Sequence, residues 1–323
     1  MGTERGPDAS PSDRQESLYD VETWWPRTRV DRLAVGIYRG LRANVGRLAV
    51  AFAVVLLGVQ VALGGFILLR QPTLDVLTVL SVVPAFLLAA AIWYLDPTDR
   101  EPFGPMAATF LLGFLFAGFA AVVNTVFLSG FRLIPVVGLA LLFYLVVGPL
   151  EESVKWLAVW AYPYRLPSFR SVADGMVYGA VAGLGFATVE NSIYISHQFL
   201  SASQAAAGAT PMDPIRAAVE TATGRSLAGP GHVIYSAISG YYLGLAKSNR
   251  ADFGPIVVKG LLLAAVVHAT YDTVVTYANL AVLSFLVFVV VYDGTVLYLL
   301  SRKLARYRRL VRERTVAASP AET

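Results

Sequence analysis

One short run in the chain has the residue types for hydrolytic chemistry: Glu151-Glu152-Ser153-Val154-Lys155. It lies inside an apolar stretch whose length suits a helix. Two adjacent carboxylates repel, and Lys155 sits one turn after Glu151 on the same helical face. The lysine can hold Glu151 ionised, and an ionised carboxylate in a dry site can act as a general base toward water. The bland alternative is a structural ion pair at a helix end. A second run, Phe186-Ala187-Thr188-Val189-Glu190-Asn191, puts a carboxylate near the middle of the next apolar stretch, with no cation nearby in sequence. Glu190 therefore needs a partner from another helix. Gly179, Gly183 and Gly185 precede it, and small residues at such spacing let a neighbouring helix approach closely.

Two histidines follow. His232 lies one turn inside the next stretch. His268 and Asp272 stand at i and i+4 of the one after, so an acid can orient the imidazole or stand beside it. His197 ends its stretch and reads as interfacial. Asn124 and Asp293 are isolated and read as interhelical hydrogen-bond partners, not catalysts. Ionisable groups at membrane depth are expensive, so each is a candidate site residue by default.

The elements that must carry these residues are membrane spans. The chain of 323 residues is 56% hydrophobic and only 15% charged, against about 25% charged in soluble domains. Apolar runs close to the roughly 20 residues a span needs cover Gly46–Leu69, Leu77–Leu95, Gly104–Leu128, Ile134–Trp160, Asp174–His197, Ser226–Ala246, Pro255–Tyr277 and Leu280–Leu300. The fourth and fifth are interrupted by polar residues. The sixth contains Gly229-Pro230-Gly231, which points to a broken or re-entrant start. Met1 to Tyr19 is polar and reads as disordered. Arg27 to Arg47 reads as a basic amphipathic helix on the membrane surface. The 199–225 loop is the longest external one and reads as a short helix or lid. No secretory signal pattern and no inverted repeat is evident.

Basic residues orient the bundle. The N-terminal region through Arg47 carries eight Arg and the tail after Leu300 carries seven Lys or Arg; loops on that side add Arg100, Arg165, Arg170, Lys247 and Arg250. The opposite loops carry only Arg70, Arg132, Arg216 and Arg225. Both termini are therefore expected in the cytoplasm. The net charge of +4 is a topology signal and not the footprint of a nucleic-acid binder. The chain has no cysteine, which excludes disulfides, thiolate metal sites and a Cys nucleophile.

The set Glu151-Glu152-x-x-Lys155, Phe186-x-x-x-Glu190-Asn191, His232 and His268-x-x-x-Asp272 resembles the PrsW family of intramembrane proteases, within the superfamily of the type II CAAX prenyl proteases. The segment from Tyr94 to Pro102 also resembles a PrsW-like turn. The likeness runs from about Tyr94 to Tyr277. It implies peptide-bond hydrolysis in or near the membrane, with Glu151 as general base and Glu152 as its support. Glu190 would position water, and His268 with Asp272 would face the oxyanion. Most CAAX-type relatives have His where this chain has Glu190. The resemblance also implies that Glu151, Glu190, His232 and His268 could hold a divalent metal such as zinc, or run a metal-free Glu/His mechanism.

The sequence thus predicts an all-α, polytopic transmembrane helical bundle of about eight spans. Its parts are a 1–45 disordered or interfacial region, a 46–300 membrane domain with a protease core near 94–277, and a 301–323 basic tail. The expected activity is that of an intramembrane endopeptidase, with His232 and the supporting Lys155, Phe186 and Asn191 in the site. Its expected partners are the lipid bilayer and a membrane-protein substrate, such as the anti-sigma factor of the family's namesake. The alternatives are a proton- or cation-coupled transporter and a non-catalytic membrane scaffold.

Overall fold

The computed structural model describes residues 71–95, 101–205 and 212–318, together with scattered helical positions between 29 and 59. The expected Gly46–Leu69 span, the surface helix at Arg27–Arg47, the disordered start and the centre of the Tyr94–Pro102 turn lie essentially outside the described residues. The chain divides into two compact units, 1–55 and 56–323; the site lies in the second.

That unit is built from α1 (Pro72–Tyr94), α2 (Phe103–Phe131), α3 (Gly138–Leu142), α4 (Gly148–Ala161), α5 (Val172–Ala205), α6 (Met212–Ser248), α7 (Phe253–Tyr277) and α8 (Val282–Ala318). There is no strand among the described residues. Each expected span from the second to the eighth has a helix. Five helices among the described residues are long and apolar enough to cross a membrane, namely α1, α2, α5, α7 and α8. The stretch α3–α4 and α6, which carry Glu151, Glu152, Lys155, Arg225 and His232, are outside that set.

A π-helical turn at Phe143–Val147 joins α3 to α4, and the Gly148 N–H bonds the Phe143 carbonyl. The cause is Pro149, which has no N–H and whose ring would press on the carbonyl of Leu145 in a regular helix. The wider turn relieves that contact directly before Glu151, a placement common for π-bulges at functional sites.

Helix α5 is the spine, packed along α6 and flanked by α1, α2 and α4. It starts at a capping box. The Ser171 hydroxyl accepts the Asp174 N–H at 3.1 Å, and Asp174 accepts the Ser171 N–H at 2.9 Å. Along the α5–α6 seam, Gly175, Gly179 and Gly183 face the backbone carbonyls of Gly240, Ser236 and His232. A methyl group at any of the three would collide with that carbonyl. Close approach of this kind is how membrane helices gain packing energy without a hydrophobic driving force between them.

The sixth span is not broken. α6 runs unbroken through Pro230 from Met212 to Ser248. Neighbouring helices and local adjustment can satisfy the backbone group a proline frees inside a bundle. Likewise the expected 199–225 loop is mostly helical, because α5 continues to Ala205 and α6 begins at Met212. At about 1.5 Å per residue, helices of 34 and 37 residues outrun a hydrocarbon core of about 30 Å. The outward faces of α1 and α8 carry exposed Val79, Leu80, Phe86, Leu87, Val287, Val290 and Val291, the surface a helix presents to lipid.

Candidate active site

Four helices bring the sequence-flagged residues together. Glu151, Glu152 and Lys155 come from α4, Phe186, Glu190 and Asn191 from α5, His232 from α6, and His268 with Asp272 from α7. Glu151, Glu152, Lys155, Asn191, His232 and His268 are buried.

The contacts form a directed chain. His268 Nδ1 lies 2.9 Å from Glu152 Oε1, and Lys155 Nζ donates to the same oxygen at 2.7 Å. Lys155 Nζ also lies 3.0 Å from His232 Nδ1. An ammonium has donors only, so Nδ1 must accept, which leaves the proton of a neutral ring on Nε2. His232 Nε2 meets Glu190 Oε2 at 2.6 Å. That oxygen accepts a second bond from Arg225 Nη2 at 2.9 Å. Arg225 Nε then donates to Asn191 Oδ1 at 2.8 Å. These bonds run from α7 through α4 and α6 to α5.

Phe186 packs beside this chain. Its ring centroid is 4.3 Å from Lys155 Nζ and 5.6 Å from that of His232. The rings of His232 and His268 meet edge to face, 5.1 Å between centroids.

Glu151 stands beside the chain. Its Oε1 accepts from Asn124 Nδ2 at 2.9 Å. Its Oε2 has no hydrogen-bond partner among the described residues and lies 3.8 Å from both Lys155 Nζ and His268 Nε2. Asp272 Oδ2 is 3.5 Å from His268 Nε2. One carboxylate oxygen is thus buried, close to a cation and an imidazole, and left for something else to bond.

The geometry gives the expected polar residues their partners. Lys155 hydrogen-bonds Glu152 and keeps Glu151 at ion-pair distance, 3.8 Å, because i and i+3 also share a helical face and His232 draws the ammonium the same way. Asn124 does bond across helices, but its partner is Glu151 itself. Asp293 accepts from the Tyr235 hydroxyl at 2.6 Å, and the Tyr235 ring lies 5.4 Å from that of His268. His197 is exposed near the end of α5. The sequence places Arg225 in an external loop, and its contact with Glu190 is not legible from the local pattern. The available signal was its position seven residues before His232, two turns along one face of an uninterrupted helix.

The donor set also suits a metal. Glu151, His232 and His268 each offer a ligand atom, and the three atoms lie within 4.8 Å of one another. Two imidazoles and a carboxylate, with one carboxylate oxygen unpartnered, match the nitrogen and oxygen ligands that catalytic zinc takes, and His232 would exchange its bond with Lys155 or Glu190 to join them. Glu152 at His268 Nδ1 supplies the carboxylate that such a histidine normally leans on.

A helical membrane bundle enclosing a carboxylate–imidazole site of this kind has the parts of an intramembrane hydrolase. Comparison with known proteins makes the class specific. The model of the PrsW family, described as intramembrane metalloproteases, matches residues 101–295. Protease PrsW of Halalkalibacterium halodurans is 30% identical over 196 residues, which cover 60% of this chain and 80% of that protein. Protease PrsW of Bacillus subtilis is 28% identical over 205 residues, 61% of this chain and 81% of that protein. The namesake of Geobacillus kaustophilus is 29% identical over 194 residues, 59% of this chain and 76% of that protein. No solved structure matches. The chain belongs to the PrsW family and is a multi-pass intramembrane protease.

Proposed function

We propose that the protein hydrolyses a peptide bond of a membrane-protein segment using Glu151 as general base. The observation that carries this is the buried, unpartnered Glu151 Oε2, 3.8 Å from both Lys155 Nζ and His268 Nε2. Glu151 removes a proton from water as the water oxygen bonds to the scissile carbonyl carbon. The carbonyl oxygen takes up the negative charge, and His268 with Asp272 faces it. The C–N bond then breaks as the proton passes to the leaving nitrogen, giving a free carboxylate and an amine. Glu152 holds Lys155 and His268 in place, and Glu190 holds His232.

Glu151, His232 and His268 are the residues that would hold a divalent ion such as zinc, with Glu190 adjoining through His232. Such an ion, when bound, supplies Lewis-acid polarisation of the carbonyl and a more acidic water. Asn124 fixes the Glu151 carboxyl so that its Oε2 alone faces the reacting centre.

The substrate class is a transmembrane protein, with an anti-sigma factor as the leading type. The topology is eight spans with both termini cytoplasmic, supported by the basic residues that flank the helices. Reporter fusions after Ala246 should read cytoplasmic, and fusions near Ala207 external.

The test of the mechanism is Glu151→Gln in nanodiscs, assayed on a membrane-spanning reporter that the parent cleaves. General-base contributions are about 10²–10⁴-fold, so cleavage should fall by that much while the protein inserts and folds. Cleavage by the folded variant at the parental rate would remove Glu151 as the base.

A further inference from the structure

Glu190 has no cation on its own helix, yet its carboxylate is held by two donors from α6. One is His232. The other is Arg225, and its contacts are unusually complete for a residue beyond the expected membrane segment. Its Nη2 reaches Glu190 Oε2 at 2.9 Å, and its Nε reaches Asn191 Oδ1 at 2.8 Å. The planar guanidinium therefore clamps two consecutive residues of α5. It also lies over the Tyr194 ring, 4.6 Å from the centroid, one turn beyond Glu190. Asn191 is itself anchored, since its Nδ2 donates to the Ser81 hydroxyl of α1 at 3.0 Å. The side chains of Arg225 and Glu190 are 15% and 17% exposed, so the pair is largely removed from solvent.

We propose that Arg225 is a positioning residue for proteolysis: it fixes the Glu190 carboxylate on His232 Nε2, and through it the orientation of the imidazole beside Glu151. The inference rests on the reading of Glu190 and His232 as site residues. The physical reason is geometric. A single hydrogen bond from His232 leaves the carboxylate free to swing about its own side-chain torsions. A second donor on the same oxygen, rigidly tied to Asn191 and Tyr194, removes that freedom. Lysine keeps the charge but cannot reproduce the fork, because an ammonium is a point donor without the planar spread of guanidinium nitrogens. A purely architectural Arg225 would join α5 to α6 without any tie to the chemistry.

The test uses the full chain in nanodiscs and a single-span reporter that the parent cleaves. The variants are Arg225→Lys, Asn191→Ala, Glu190→Gln and the Arg225→Lys/Glu190→Gln double. Loss of a residue that orients a site histidine costs about 10–100-fold. Arg225→Lys should lower kcat by that factor, with KM within about twofold of the parent by the same positioning argument. Its thermal unfolding should stay close to the parent's. Asn191→Ala, which frees the guanidinium Nε, should lower kcat in the same direction by less, and gives an independent reading should the Arg variant not fold. The double variant should be no slower than Glu190→Gln alone, because Arg225 acts through Glu190. A parental kcat for both Arg225→Lys and Asn191→Ala, with Glu190→Gln impaired, would overturn the proposal alone. So would losses that multiply in the double variant. A parental rate for Glu190→Gln would overturn the site reading beneath it, and Arg225's role with it.

Discussion

Helices α5 and α8 are both long enough and apolar enough to cross a bilayer, but they meet different solvents. In the most apolar window of α5, 89% of the residues are buried inside the protein; in that of α8, 11% are. The spine α5 consequently uses glycine, Asn191 and Glu190, while α8 turns valine and leucine outward. Helices α4 and α6 go further. They carry Glu151, Glu152, Lys155, Arg225 and His232, and neither is among the five helices both long and apolar enough to cross a membrane. These polar residues face other helices and not lipid. A polar group facing lipid has no partner, whereas one facing other helices can find several.

The contrast can be broken at its strongest point with Glu152→Gln. Glu152 Oε1 takes bonds from Lys155 and His268, so the variant leaves a buried lysine without its anion. Removing one partner of a buried pair costs about 3–5 kcal/mol. Reversible unfolding in mixed micelles should show a loss of that size. Glu151→Gln should unfold like the parent, since the hydrogen bond that Glu151 accepts comes from Asn124 to Oε1, which a Gln carbonyl can keep. Equal stability of the two variants would erase the distinction drawn between the neighbouring glutamates.

The lipid-facing side should respond to charge in the opposite sense. Val291 on α8 is exposed. A lysine at the centre of a spanning helix costs about 2.5–3.5 kcal/mol for insertion. Val291→Lys should therefore reduce the inserted fraction in a translocation assay, while Val291→Leu should not. Normal insertion of the lysine variant would mean that this face of α8 does not meet lipid.

The close α5–α6 seam should be sensitive to a single methyl. Gly179→Ala would press on the Ser236 carbonyl, and overpacking of this kind costs about 1–3 kcal/mol. The same change at Gly294 of α8, where no atom lies within 4 Å of the added carbon, should be neutral or stabilising. Thermal melts of the two variants in one detergent give the comparison, and similar midpoints would argue against the tight seam.

The smallest effect belongs to Tyr235→Phe. It removes the bond to Asp293, and side-chain hydrogen bonds between membrane helices average about 0.6 kcal/mol, reaching about 1.7. Unfolding should shift by that little, with activity retained. A large loss of activity would instead make the Tyr235–Asp293 pair part of the support for His268.

What the sequence settled by itself was the helical membrane character and the family. Both are written in local or short-range patterns. A run of about 20 apolar residues is legible because every backbone group in a bilayer must be satisfied within its own helix. The spacings Glu151-x-x-x-Lys155 and His268-x-x-x-Asp272 are legible because a helix repeats every 3.6 residues. The first span and the N-terminal surface helix, read the same way, lie outside the described residues. Only the tertiary structure decided the pairing. Lys155 had two carboxylates within a turn, and the choice of Glu152 was made by His232 and His268 arriving from α6 and α7. Arg225 looked like a loop residue until α6 proved continuous through Pro230 and carried it to Glu190. Asn124 looked isolated until α2 packed against α4 and gave it Glu151. The hydrogen-bond partners on different helices of the site lie 27 to 116 residues apart in sequence. Nothing in a helical period encodes such distances; they follow from which faces pack closely, and here the glycines of α5 bring that spine within backbone contact of α6.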